Sequence, residues 1–421
     1  MIVNKSYEIA SCDDVELNIK RDSLLEFRIS YDNECEIETV LFVVSGLGGD
    51  ADSSYKQHLA EFAVKEFGVA VVIVNYHCIG NRPQVGSVFC MDRIDQYYLA
   101  AKCQEIGIPL SGDLSSLESY QMTQSILLGL NQTLSDKKAK GELPDDYLME
   151  LSVTIQPTKN EYQNFGIMQA QDLINTLLFI KNSPPFKVFG TNTDNLNIIM
   201  LGSSHGGYLA HMAAKIAPWL IDGVIDNSCY ANNPFSFIGF GKEVDYKKYY
   251  GFSTTLFFNN INIFCSDKTY WTLNQNSPNY FSEAREEIRY LLNLDHLKIQ
   301  SGYPKPIYVS YHSVKDTSIA PASDKAELYK ILREFGFDAT LNMIKDESEI
   351  DGKFIKNLEH GMNMSIKSLI KKELSKMIKK LKKVKKEPWN QKSISYKSVD
   401  LIYKFYEMDD KINLAISKTK Q

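Results

Sequence analysis

The sequence predicts an α/β protein: a mostly parallel central sheet with helices on both faces, a helical insertion, an aromatic-rich segment and a small C-terminal appendage. Three observations predict it. The run Val40–Val44 is continuously apolar, as in a strand covered on both faces, and Val69–Tyr76 reads as another buried strand. A helical stretch, Tyr55–Phe67, separates them, and βαβ alternation is the pattern of parallel pairing. Finally, the apolar run Leu196–Met200 enters Leu201-Gly202-Ser203-Ser204-His205-Gly206-Gly207 and then the alanine-rich stretch Tyr208–Ala214, which reads as strand, glycine-bounded serine and helix.

Size and composition bound the rest. A chain of 421 residues with 44% hydrophobic and 24% charged residues suits one globular enzyme domain carrying insertions. The expected limits are a core domain over 1–387, interrupted by an insertion at about 84–160 and a lid at about 231–303, with an appendage over 388–421. A net charge of −5 argues against nucleic acid as the partner. Seven cysteines, scattered and odd in number, form no CxxC pair and suggest no disulfide framework. The opening residues, Met1-Ile2-Val3-Asn4-Lys5, lack the apolar stretch of a signal peptide, and no run is long enough to span a bilayer. The expected location is the cytoplasm.

Taken in order, Leu25–Ile29 alternates with a period of two, as a half-buried antiparallel strand does. Val40–Val44 ends in Ser45-Gly46-Leu47-Gly48-Gly49, whose glycines let backbone N–H groups come close to a ligand. The segment Tyr76–Pro83 leaves its strand at the C-terminal end, where ligands bind in such sheets. His77 and Arg82 are therefore candidates for substrate contact, with a solvated loop as the plainer reading. From about 84 to 160 the alternation stops, and Ile94–Gln104, Ser116–Leu134 and Pro144–Leu151 read as helices of an insertion in which Tyr97-Tyr98 serve packing. A core helix over Met168–Asn182 ends at Pro184-Pro185.

After the serine motif, Gly223–Ser228 reads as a strand. Residues 231–303 are rich in Asn, Phe and Tyr (Phe235, Phe240, Tyr246, Tyr250, Phe257 and Trp271 among them) and suit either a pocket-covering lid or a packing layer. Pro306–Tyr311 is a strand leading to Asp316; a helix (Ser323–Phe335), a strand (Ala339–Ile344) and a loop carrying His360 follow. Beyond Ser365, Lys371, Lys372, Lys376, Lys379, Lys380, Lys382, Lys383, Lys385 and Lys386 flank the apolar stripe Ile366, Leu369, Ile370, Leu374, Ile378 and Leu381. That is a core helix with a solvated lysine face, attraction to acidic lipid or polymer being the lesser reading. Val399–Phe405 and Ile412–Ile416 flank Met408–Lys411, the pattern of a hairpin.

The chemistry follows from residue types. A serine on a sharp strand-to-helix turn needs neighbours without bulk, here Gly202 and Gly206, and its hydroxyl then stands above the sheet edge. Ser204 is the candidate nucleophile. Ser204, Asp316 and His360 occur in the order Ser…Asp…His, with Asp226, at another strand end, as a rival acid. The backbone N–H groups of His205 and of Leu47 or Gly48 are candidate oxyanion donors, and the His205 side chain is expected to point away into helix packing. His58, His211 and His296 read as surface or core residues. No His/Asp/Glu cluster has metal-ligand spacing, so neither metal nor cofactor is expected.

These residues resemble those of α/β-hydrolases, in particular prolyl-oligopeptidase-like members, where the acid lies in a His-x-x-x-Asp segment (His312 to Asp316) and the histidine precedes glycine (His360-Gly361). The chain is more closely similar to an uncharacterised bacterial α/β-hydrolase family, a DUF2920-like domain of unknown function whose members tend to accompany surface-glycan and flagellar sugar-modification genes. The likeness covers roughly residues 20–230 and 303–385, and departs from the peptidases in having Ser313 where they usually have glycine. It implies an α/β-hydrolase fold and a serine esterase or deacylase acting on a small polar acylated substrate, a sugar among the candidates. An acyltransferase or peptidase on the same residues, or a binding protein that keeps only the fold, are the alternatives.

Overall fold

The computed structural model describes residues 1–49, 54–110, 113–249, 251–254, 258–384, 386 and 388–419. Tyr250, Phe257 and Lys385 of the sequence reading lie outside them. The chain divides into two compact units, one made of 1–79, 164–233 and 282–421, the other of 80–163 and 234–281.

The first unit begins with β1 (Ile2–Ile9), β2 (Leu25–Asp32), β3 (Thr39–Val44), α1 (Ser54–Phe67) and β4 (Ala70–Asn75). The second contributes β5 (Val88–Cys90), α2 (Arg93–Glu105), α3 (Tyr120–Ala139) and β6 (Met149–Gln156). The first resumes with α4 (Ile167–Asn182), β7 (Asn197–Ser203), α5 (His205–Ile216) and β8 (Gly223–Asn227). The short α6 (Phe235–Ile238), β9 (Phe252–Thr254) and β10 (Ile261–Asp267) return to the second. Next come α7 (Glu283–Glu287), α8 (Leu294–Gln300), β11 (Ile307–Ser313), α9 (Ala322–Glu334) and β12 (Ala339–Ile344). The chain closes with α10 (Ile366–Leu381), β13 (Ser393–Ser398), β14 (Leu401–Met408) and β15 (Lys411–Lys418).

In the first unit eight strands form one sheet in the order β1-β2-β4-β3-β7-β8-β11-β12. From β4 to β12 every pairing is parallel, while β2 is antiparallel to both its neighbours. The continuous apolar runs have the cause inferred from them. Val40, Phe42 and Val44 of β3 enter one core and Leu41 and Val43 the other. The first core is closed by α4, α5 and α9, the second by α1 and α10, so both faces are covered. The lysine stretch is the second of these covers: Leu369, Ile370, Leu374 and Met377 are buried beneath it. Several of its lysines are tied to acids of the same unit, Lys376 to Glu373, Lys380 to Asp338, Lys382 to Glu38 and Lys386 to Asp222. The C-terminal residues form a three-stranded antiparallel sheet, β13-β14-β15, rather than a hairpin alone. Their inward side chains, Ile394, Tyr396, Tyr403, Phe405 and Ile412, belong to the first core.

The second unit departs from the sequence reading. The insertion is not wholly helical: Pro144–Leu151, expected as a helix, gives way to β6, which pairs parallel with β10. With β5 and β9 these make a four-stranded sheet, β5-β6-β10-β9, backed by α2 and α3 through Leu99, Leu127, Leu130 and Leu134. The physical reason is pairing at long range: Leu151 and Val153 find Ile263 and Cys265 as sheet partners, which no local pattern announces. The expected lid is likewise split. Residues 234–281 complete this sheet, and α7 and α8 belong to the first unit. Among its aromatics, Phe235, Phe240, Trp271 and Phe281 pack on one another, with ring centroids 5.1–5.3 Å apart and edge-on. Tyr98 packs too, stacked on Tyr246 at 3.8 Å.

Candidate active site

Three loops at the C-terminal ends of parallel strands in the first unit build the site. The first is the turn from β7 into α5. Ser204 has φ 53° and ψ −123°, a region that costs a non-glycine residue about 1–3 kcal/mol. The turn is tolerated because its neighbours lack bulk. A Cβ on Gly202 would lie 2.3 Å from the Gly206 carbonyl carbon, and one on Gly206 would lie 2.3 Å from the Val44 oxygen. The Ser204 N–H donates to the Asn227 carbonyl of β8 at 2.8 Å, and the Ser204 carbonyl accepts the first helical bond from Tyr208 at 3.0 Å.

The second loop follows β11. Asp316 is buried; its Oδ1 accepts from the Ala320 N–H at 3.0 Å, which orients the carboxylate, and its Oδ2 lies 2.5 Å from His360 Nδ1. Burial by itself would raise this carboxyl, but the hydrogen bond and positive charge offered by His360 outweigh it and hold Asp316 below its ordinary value. The third loop follows β12 and carries His360 on a tight turn through Gly361, Met362 and Asn363, all at positive φ. His360 Nε2 lies 2.7 Å from Ser204 Oγ. Ser204, His360 and Asp316 thus form one hydrogen-bonded line with a single imidazole at its centre.

Ser313, the departure from the peptidase pattern, ties two of these loops together. Its Oγ donates to the Leu358 carbonyl at 2.6 Å and accepts from the Lys315 N–H at 3.2 Å. The loop after β3 lies against the serine turn: a Cβ on Gly46 would be 3.0 Å from the Ser203 oxygen. Leu47 and Gly48 occupy the centre of a turn closed by Gly49 N–H to Gly46 O at 3.1 Å, with Gly48 at φ 83°. Tyr76 Oη and Lys56 Nζ brace it, donating to the Ser45 carbonyl at 2.8 Å and to Ser45 Oγ at 2.9 Å.

The other candidates lie elsewhere. Asp226 is fully buried and accepts from Lys325 Nζ (2.8 Å), Ser310 Oγ (2.8 Å), Tyr329 Oη (3.0 Å) and His211 Nε2 (2.9 Å), not from His360. Burial would raise it, yet the Lys325 ammonium and His211 hold it far below the usual carboxylate range. Contrary to the reading of the sequence, one cluster with metal-ligand spacing does exist among the described residues: His211, Asp226 and Cys229. Lys325 Nζ stands 2.8 Å from Asp226 Oδ1 and 2.7 Å from Cys229 Sγ, so a lysine ammonium supplies the positive charge there. Asp226 and Cys229 lie only three positions apart, but His211 sits on α5, and it is the packing of that helix on the sheet that brings the three ligand atoms within 4.8 Å of one another.

The His205 side chain turns into the packing, bonded to Tyr230 Oη and to Gln169 Oε1 at 3.1 Å. His77 is buried rather than solvated, its N–H donating to Asp172 at 2.7 Å. In the second unit Arg82 is also buried, paired with Asp267 at 2.5 Å and lying over the Phe252 ring. His296 accepts from Lys215 Nζ at 3.0 Å and is pushed down to about 3, first by burial and then by that lysine. His58 is exposed. No helix among the described residues is long and apolar enough to cross a membrane.

A mostly parallel sheet in this strand order, with a strained serine between its central strand and the following helix, is the α/β-hydrolase fold. The chain belongs to the DUF2920 family, a family of unknown function whose model matches residues 5–416. No curated relative matches the sequence. Among solved structures it is similar to an acylaminoacyl peptidase of Pyrococcus horikoshii, at 12% identity and TM-score 0.45, over 92% of this chain and 43% of that one. It is also similar to an esterase of Pyrococcus furiosus, at 10% identity and TM-score 0.43, over 91% and 93%. An S-formylglutathione hydrolase of Agrobacterium tumefaciens is similar at 11% identity and TM-score 0.38, over 90% and 95%. The chain spans less than half the length of the peptidase. Likenesses this remote carry no weight for the chemistry.

Proposed function

We propose that the protein is a serine hydrolase, an esterase or deacylase acting on a small polar acylated substrate. The observation that carries the reading is the 2.7 Å contact of His360 Nε2 with Ser204 Oγ, backed by Asp316 on Nδ1. In this reading His360 takes the proton as Ser204 attacks the acyl carbonyl, and returns it to the leaving group as the tetrahedral intermediate collapses. Asp316 keeps the proton of the neutral imidazole on Nδ1 and stabilises the imidazolium that forms. The N–H groups of His205 and of Leu47 or Gly48 hold the developing oxyanion, about 3–4 kcal/mol per donor in comparable sites. A fold that had lost its chemistry has no need of an imidazole within hydrogen-bond reach of a strained serine, which weighs against a pure binding protein.

Initial rates on p-nitrophenyl acetate, acylated sugars, acyl peptides and acyl acceptors, with product analysis, test the reading. Ester hydrolysis that disappears in Ser204→Ala is expected. Peptide cleavage or acyl transfer in its place would move the assignment to the peptidase or acyltransferase alternative, and full activity in Ser204→Ala would end it.

A further inference from the structure

We infer that Asn227 and Ser228, at the end of β8, are positioning residues that set the serine and the histidine against each other; this rests on the hydrolase reading above. Neither residue touches the reacting atoms. Both are fully buried; Asn227 bonds the serine turn and the histidine turn at once, and Ser228 bonds the histidine turn. The Asn227 carbonyl accepts the Ser204 N–H at 2.8 Å. Its side-chain Nδ2 donates to the Gly361 carbonyl at 2.9 Å and reaches Ser203 Oγ at 3.4 Å. Ser228 Oγ accepts the Gly361 N–H at 3.1 Å and donates back to Asn227 Oδ1 at 3.0 Å. The N–H and the carbonyl of the residue next to His360 are therefore both fixed by the dipeptide whose carbonyl fixes Ser204.

The histidine turn needs such a hold. Gly361, Met362 and Asn363 stand at φ 78°, 51° and 44°, three successive left-handed residues of which two carry side chains. Ser228 itself sits at φ 53°, anchored by its N–H to the Tyr311 carbonyl of β11 at 2.9 Å. Strain at Ser204, Ser228 and the histidine turn is thus joined through a few hydrogen bonds. An error of about 1 Å in the Ser204–His360 distance is enough to cost on the order of 100-fold in rate.

Asn227→Ala, Ser228→Gly and the double variant are compared with the parent chain in kcat and KM on a p-nitrophenyl ester and in melting temperature. The fourth readout is the downfield proton NMR signal of the His360 Nδ1–H shared with Asp316. Each variant is expected to lose about 10- to 100-fold in kcat with KM within about threefold, and to show the downfield signal broadened or lost. Ser228→Gly keeps the test open if Asn227→Ala fails to fold, since glycine adopts φ 53° without strain. Variants with kcat and signal both unchanged overturn the inference, as does a fall in kcat that merely follows melting temperature with the signal retained. If the parent chain turns over no ester, the hydrolase reading falls by itself. The NMR signal still decides the positioning role, which stands if the signal is lost in Ser228→Gly and is overturned if it is kept.

Discussion

Asp316→Asn is the perturbation whose outcome the geometry specifies most closely. In the parent chain Oδ1 is committed to the Ala320 N–H at 3.0 Å and Oδ2 to His360 Nδ1 at 2.5 Å. An asparagine must keep its single oxygen toward Ala320, because turning its amide there would oppose two donors. The NH2 group then faces Nδ1 and donates to it, so the imidazole proton moves to Nε2, the atom 2.7 Å from Ser204 Oγ. An imidazole protonated at Nε2 cannot take the serine proton. The expected loss is about 10⁴ in kcat, or roughly 5.4 kcal/mol at 1.36 kcal/mol per decade. Asp316→Ala imposes no tautomer and is expected to retain more activity than the asparagine variant. Steady-state kinetics on p-nitrophenyl acetate decides the matter. An Asp316→Asn enzyme within about tenfold of the parent, or an alanine variant that is the poorer of the two, would refute the tautomer argument.

Other consequences follow from the packing around the site. Lys325→Met leaves Asp226 ionised and buried with only neutral donors and His211, and is expected to cost about 3–5 kcal/mol in urea unfolding; a change below about 1 kcal/mol would contradict the pairing. Gly206→Ala drives a Cβ to 2.3 Å from the Val44 oxygen, so the serine turn has to open. A loss of about 3 kcal/mol together with any turnover of p-nitrophenyl acetate is expected, and a stable, active variant would show the turn to be looser than described. Asp316 is held below its unfolded value, about 3.9, so the stability it adds is complete above that pH and is lost as pH falls through its folded value. The denaturant midpoint should therefore drop below about pH 4, less steeply in Asp316→Asn, and an identical acid limb in the two proteins would contradict the depressed carboxyl.

What was legible in the sequence is what local chemistry dictates. The serine turn announced itself because glycines on both sides of Ser204 answer a steric demand of that turn, and the strands of the large sheet because burial on two faces leaves no polar alternation. Asp316 and His360, which the structure places in line with Ser204, were singled out through chain order after strands. The four-stranded sheet of the second unit was not found. Met149–Gln156 has its partner in Ile261–Asp267, and a strand whose neighbour is that remote looks locally like the end of a helix. The same distance hid Lys325, which reads as one more helix lysine until Asp226, 99 positions away, is placed against it. Asn227 and Ser228 read only as a strand end, because their work is done through hydrogen bonds to Gly361, a residue of a loop more remote still.

The central claim is that Ser204 is made nucleophilic by His360. Its most direct test is treatment with a fluorophosphonate probe followed by intact-mass measurement and peptide mapping. One adduct is expected, on the peptide carrying Ser204, absent from Ser204→Ala and formed at least about 10³-fold more slowly in His360→Ala. No adduct on the folded parent chain, or an adduct that persists in Ser204→Ala, would contradict it.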